Sequence, residues 1–183
     1  MRQLNAKELR TSEVDPELAR SVTKHPVSII LDDVLDTYNV GSIFRLADAA
    51  AVEKVYLCGE TLTPPNSRIK KASINTWQWV DWEYCSTAIE AINNIKASKH
   101  QRVKVVAVEQ DERSVPFQTV QFDFPLVIIV GNETHGVSKE VLDVSDVIVE
   151  LPMWGINISL NVMVSCGIVL YEIMKQYSAK NMV

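Results

Sequence analysis

The run Leu126-Val-Ile-Ile-Val130 is apolar at every position and stops on Gly131. A strand with one wet face alternates apolar and polar residues, so an unbroken run calls for a strand covered on both faces, as in a parallel α/β sheet. Val27 to Leu31, Lys54 to Cys58, Val103 to Val108 and Val147 to Leu151 read as four more strands. Between them, Val40, Ile43, Phe44, Ala47 and Ala51 fall on one helical stripe. Thr87 with Glu90 makes a capping box for a helix over Ala88 to about Ser98. A short helix is expected near Ser138 to Leu142, Pro116 to Pro125 reads as connection, and Leu160 to Met174 as a buried core helix. Strands and helices in alternation define the class as α/β, a parallel sheet flanked by helices on both faces.

At 183 residues and 47% hydrophobic content the chain can enclose one core, so residues 1–183 are read as a single domain, with 1–24 a short N-terminal helical arm outside the sheet. Met1 to Arg10 lacks the apolar segment of a secretory signal. The apolar stretch from Leu160 is interrupted by Asn161, Ser165, Gly167 and Glu172 and is short for a bilayer span, so no membrane partner is expected. Cys58, Cys85 and Cys166 are odd in number and without metal-binding spacing, which points to a reduced, cytoplasmic compartment. A formal net charge of -5 argues against non-specific wrapping of nucleic acid. Arg68, Lys70 and Lys71 nevertheless form a local basic cluster, followed by Trp77, Trp79 and Trp82. The tryptophans could stack on single-stranded RNA, or their alternation could place one face of an extended segment against the core or a dimer interface; the second reading is preferred.

Two loops gather polar side chains at the ends of core elements, where α/β proteins place their chemistry. In the first, Asn39 can cap the helix that follows, and Arg45 emerges nearly two turns later, within reach of an anion at the helix start. Either residue alone also reads as an ordinary cap and a solvated arginine. In the second, Gly131 permits a tight turn or close approach of a ligand, and Glu133 lies at the carboxyl edge of the sheet as either a site group or a helix-terminus carboxylate.

Three ordered motifs carry a resemblance. Asn39-Val-Gly-Ser-Ile-Phe-Arg45-Leu-Ala47, then Val130-Gly131-Asn-Glu133-Thr-His-Gly136, then Leu151-Pro152-Met153 followed by Ser159-Leu160-Asn161, resemble in order and spacing the SpoU, or TrmH-like, RNA ribose methyltransferases of the SPOUT superfamily. The resemblance covers about Val27 to Tyr171. It implies a sheet whose C-terminal segment threads a loop as a deep trefoil knot, a homodimer, and S-adenosylmethionine as cofactor. The implied cofactor site is largely backbone, at Val108, Gly131, Leu151, Met153, Ser159 and Leu160. The implied reaction moves a methyl group to a ribose 2′-hydroxyl of RNA, with transfer RNA favoured over ribosomal RNA; a non-catalytic RNA-binding scaffold is the alternative.

Catalytic roles would fall to Arg45, Asn39, Glu133, Ser159 and Asn161, and an in-line displacement of this kind calls for no metal. A guanidinium stays protonated at any ordinary pH, so Arg45 is assigned to binding phosphate and stabilising alkoxide charge. The chain departs from the family pattern at Ile158, preceded by Asn157, where a glutamate often stands before Ser-Leu-Asn, and Met163 replaces a small residue. Cys166 reads as a packed small hydrophobe and His135 as a solvated loop residue.

Overall fold

The computed structural model describes residue 8 and residues 16–98 and 102–181. A short helix, α1 (Pro16–Arg20), precedes β1 (His25–Asp32), α2 (Thr37–Ala49), β2 (Val52–Cys58) and α3 (Ser67–Ser73). A 3-10 turn, Thr76–Gln78, leads to β3 (Trp82–Cys85), α4 (Ala88–Ser98) and β4 (Lys104–Val108). Then come β5 (Val115–Pro116), β6 (Leu126–Gly131), α5 (Lys139–Val144), β7 (Val147–Glu150) and α6 (Val162–Asn181). Apart from α1, the expected N-terminal arm lies largely outside the described residues.

All strand pairings are parallel, in the order β3-β2-β1-β6-β4-β7-β5. Successive side chains of a strand point to opposite faces, and the core divides accordingly. Ile29 and Leu31 of β1 join Val40, Ile43, Phe44 and Ala47 of α2 and Cys166, Val169, Leu170 and Ile173 of α6 on one face. Ile30 joins Ala91, Ile92 and Ile95 of α4 and Val141 of α5 on the other. Leu126 to Val130 are buried throughout, which accounts for the unbroken apolar run.

Seven strands replace the five expected. β3 pairs Val55 to Cys58 with Trp82 to Cys85 at the sheet edge, where Tyr84 is exposed and no apolar run forms. β5 has two residues, inside the segment read as connection, and two residues cannot display a period. The capping box is present, with Thr87 Oγ1 accepting from the Glu90 N–H at 3.1 Å; the Glu90 carboxylate reaches back to Ser86.

Three expectations need correction. Asn39 is not the cap of α2: Asp36 is, its carboxylate accepting from the Tyr38 N–H at 2.8 Å, and Asn39 sits buried within the first turn. α6 starts at Val162, later than Leu160, and runs on past Met174 to Asn181 because Gln176 and Lys180 fasten it to Val120 and Phe122. It is also not buried all round: Val164, Ile168 and Tyr171 form an exposed stripe, while Cys166, Val169, Leu170 and Ile173 face the core. Trp77 lies in a 3-10 turn and Trp79 just after it, in place of an extended segment, while Trp82 opens β3; all three pack partly buried against the main core, the side of the preferred reading.

Among the described residues no helix is long and apolar enough to cross a membrane.

Candidate active site

The carboxyl ends of β1, β6, β4 and β7 meet at one edge of the sheet, where open parallel sheets bind ligands. Gly131 makes the turn after β6 possible: a Cβ there would lie 2.2 Å from the Gly136 carbonyl carbon and 2.3 Å from the Val137 nitrogen. The turn closes as an Asn132–Gly136 bridge, its N–H groups exchanged at 3.0 and 2.9 Å. Asn132 fixes it further, donating to the Asp33 carbonyl and accepting from the Thr134 and His135 N–H groups.

Glu133 is thereby presented to the loop after β1. Its carboxylate accepts from the Leu35 N–H at 3.0 Å, the Asp36 N–H at 3.1 Å and the Asn39 side-chain amide at 2.9 Å. Asn39 in turn accepts from the Asn161 amide at 2.9 Å. Asn161 caps α6, accepting from the Met163 and Val164 N–H groups. One hydrogen-bonded line, Asn161 to Asn39 to Glu133, therefore joins all three motifs. Partial burial would raise the Glu133 carboxyl, but hydrogen bonds from Asn39 and the Leu35 and Asp36 N–H groups outweigh it and hold the group below the ordinary carboxylate value. The residue itself is exposed at the surface; what distinguishes it is the set of donors aimed at it.

Beside this line opens a cavity of about 460 Å³, within the range of small-molecule sites. Val108, Gly131, Leu151, Met153, Ser159 and Leu160 all line it, as do Glu133 and Asn161. Neither Asn39 nor Arg45 is among the lining residues, though Asn39 bonds two that are, Glu133 and Asn161. Arg45 lies six residues along α2 from Asn39, about 9 Å along the axis, exposed and with no side-chain hydrogen bond or ion pair among the described residues. Ser159 bonds only locally, its N–H to the Asn157 side chain at 3.2 Å. His135 is exposed and outside the cavity lining. Cys166 is fully buried, and burial pushes its thiol up to about 12, so it packs as a hydrophobe.

Sequence reasoning missed Asp36, Asn132, Glu109 and Gln110. Glu109 accepts from the Val137 N–H at 2.8 Å and fills the space that a Cβ on Gly136 would take; the Gln110 amide donates to the Ile158 carbonyl. The signal for Glu109 and Gln110 is their place directly after an apolar strand. The titratable lining residues are Glu109, Glu133 and Glu150, with no lysine, arginine or histidine. Such a wall suits a ligand carrying positive charge, with backbone groups along Gly131, Leu151, Ser159 and Leu160 beside it.

The fold is that of a class of solved RNA-modifying methyltransferases. The crystal structure of the Aquifex aeolicus TrmH/SpoU tRNA modifying enzyme superposes with a TM-score of 0.78 at 29% identity, covering 97% of this chain and 84% of that one. An AdoMet-bound rRNA methyltransferase from Sinorhizobium meliloti gives 0.74 at 26% identity, over 87% of this chain and 60% of that chain. In sequence, the tRNA (guanosine(18)-2′-O)-methyltransferase of Aquifex aeolicus is 32% identical over 157 residues, 84% of this chain and 71% of that enzyme. The SpoU rRNA Methylase family matches residues 26–171, and the chain belongs to that family.

Proposed function

We propose that the protein is an S-adenosylmethionine-dependent RNA 2′-O-methyltransferase, with transfer RNA preferred over ribosomal RNA as substrate. The observation that carries the reading is the line from Asn161 through Asn39 to Glu133 at the mouth of an acidic, backbone-walled cavity. The cavity fits the cofactor: its volume is adequate, its carboxylates complement a sulfonium and an ammonium, and Val108, Gly131, Leu151, Met153, Ser159 and Leu160 would hold it. When bound, S-adenosylmethionine supplies an electrophilic methyl group. Similarity to the Aquifex tRNA enzyme favours transfer RNA, and similarity to the Sinorhizobium rRNA methyltransferase keeps ribosomal RNA as the second substrate.

The chain's own residues supply alignment and charge. Glu133, fixed by three donors, sets the rotamer of Asn39, and Asn161 sets it from the other side. This holds the start of α2, and with it the direction in which Arg45 leaves the helix. Arg45 binds the phosphate next to the target nucleotide and stabilises the negative charge that builds on the ribose oxygen as its proton passes to solvent. Ser159 and Asn161 order the opposite wall.

The further expectations belong to the same proposal. Residues 1–183 are one domain with its N-terminal arm. The segment from Leu151 to Asn161 is threaded as a trefoil knot; Gln110, reaching from the loop after β4 to the Ile158 carbonyl, supports this. The protein is a homodimer: Val164, Ile168 and Tyr171 are exposed at helical spacing on α6, and Trp154 and Ile156 are exposed in the segment that precedes it. Three buried free cysteines suit the cytoplasm.

The test is methyl transfer from labelled S-adenosylmethionine to bulk tRNA and, separately, to ribosomal RNA, with nucleoside analysis of the product. Label in 2′-O-methylnucleosides of tRNA is expected. Preference for ribosomal RNA would overturn the substrate choice. Tight cofactor binding without transfer to either would replace the enzyme with a scaffold.

A further inference from the structure

A second feature next to the site is not used by the chemistry above. Arg68, Lys70 and Lys71 are exposed on α3, and none makes a hydrogen bond or ion pair through its side chain among the described residues. By contrast, Lys54, Lys104, Arg113, Lys175 and Lys180 each have a carboxylate oxygen within 2.7 to 3.8 Å. In a chain with formal net charge -5, three uncommitted cations on one seven-residue helix are a local inversion of charge.

Their position is set by close packing. A Cβ on Gly41 would lie 2.6 Å from the Ala72 Cβ and 2.8 Å from the Ile69 carbonyl, so the backbones of α2 and α3 touch two residues from Asn39. Asn66 caps α3 through the Arg68 and Ile69 N–H groups. Ile74 and Asn75 then take left-handed φ values of 52° and 67°, turning the chain so that Trp79 donates to the Asp48 carboxylate at 2.7 Å. α3 is thus pinned to α2 near both ends of that helix, with its inward face made by Ile69 and Ser73. The exposed Arg45 shares α2 with both pins.

We propose that the outward face of α3 docks the phosphate backbone of the substrate RNA and delivers it along α2 toward Asn39 and Arg45. This rests on the methyltransferase reading and names how its substrate is held. The partner is RNA in place of an anionic membrane, because none of the exposed large hydrophobic residues lies on α3, and a surface-seeking helix needs an apolar face. It also reconciles an acidic protein with a polyanionic substrate: binding is local and electrostatic.

The experiment compares the full chain with the triple variant R68Q/K70Q/K71Q and a charge-keeping control, R68K/K70R/K71R. Bulk tRNA binding is measured across a salt series, with S-adenosylmethionine binding and thermal melting alongside. The glutamine variant is expected to bind tRNA roughly tenfold more weakly at moderate salt, with a log-affinity against log-salt slope shallower by about 2. Cofactor affinity and melting stay unchanged, the control binds as wild type, and the change in transfer falls on KM with kcat within about twofold. Unchanged affinity and slope in the glutamine variant would overturn the proposal, and so would a loss that the charge-keeping control shares. The two readings fail separately: absent transfer by wild-type protein sinks the enzyme, while the binding comparison still judges the patch.

Discussion

Two walls of the same cavity are built in opposite ways. The Gly131–Gly136 turn and the loop after β1 are cross-tied by Glu133, Asn132 and Asp32, the last accepting from both the N–H and the hydroxyl of Ser138. The facing wall, Leu151 to Asn161, has no regular structure, is exposed from Trp154 onward, and is held by the Gln110 contact, the Asn161 amide and local bonds to Asn157. Groups that must present fixed geometry lie on the first wall. The second gains its definition from what it meets, a ligand on one side and the proposed partner protomer on the other. Preorganisation lowers the cost of binding only where it is built in, so ligand should order the second wall far more than the first.

The largest effect should come from breaking the rigid wall outright. Gly131→Val puts side-chain atoms into the Gly136 and Val137 backbone, and should cost more than the ~1–3 kcal/mol usual for overpacking, seen as a drop in the melting midpoint with loss of cofactor binding. Next, Asn39→Ala removes the shared partner of Glu133 and Asn161. It should destabilise by about 1–3 kcal/mol and abolish methyl transfer, while S-adenosylmethionine affinity stays within severalfold of wild type. Parallel loss of cofactor binding in calorimetry would erase the distinction between the walls.

On the open wall, Trp154→Ser with Ile156→Ser should leave the unfolding free energy of the single chain, from chemical denaturation, within about 0.5 kcal/mol, since both side chains are exposed. The same pair should weaken the proposed dimer in sedimentation. The smallest effect concerns acidity. Because the folded-state pKa of Glu133 is lowered, its contribution is complete above the unfolded value of about 4.3 and is lost as pH falls through the lower folded value. The stability gap between wild type and Glu133→Gln should therefore be flat from pH 7 to about 5 and close only in stronger acid.

What can be read from the residues follows the same division. Leu126 to Val130 declare a strand covered on both faces because burial on two sides leaves a pattern in one stretch of chain. The polar cluster is legible only as motifs: neither Asn39 nor Asn161 shows in local sequence that it bonds a residue 94 or 122 positions away. Asn39 reads as a cap for a related reason, since Asp36 and Asn39 are both good capping residues and only the backbone at Asp36 decides between them. β5 and the edge strand β3 escape notice because short or half-exposed strands borrow their definition from neighbours. The exposed stripe of α6 reads as core because apolar residues that wait for a partner look the same in sequence as apolar residues already covered.

The amide of Asn161 closing on Asn39 sets a condition on when this chain can begin to work. A fragment that ends after α5 but short of residue 161 contains the β6 turn, Glu133 and all of α2, yet leaves one side of Asn39 unanswered. On the role proposed for Asn161, methyl transfer in a refolding experiment would therefore begin no earlier than the closing of this contact between residues 122 positions apart.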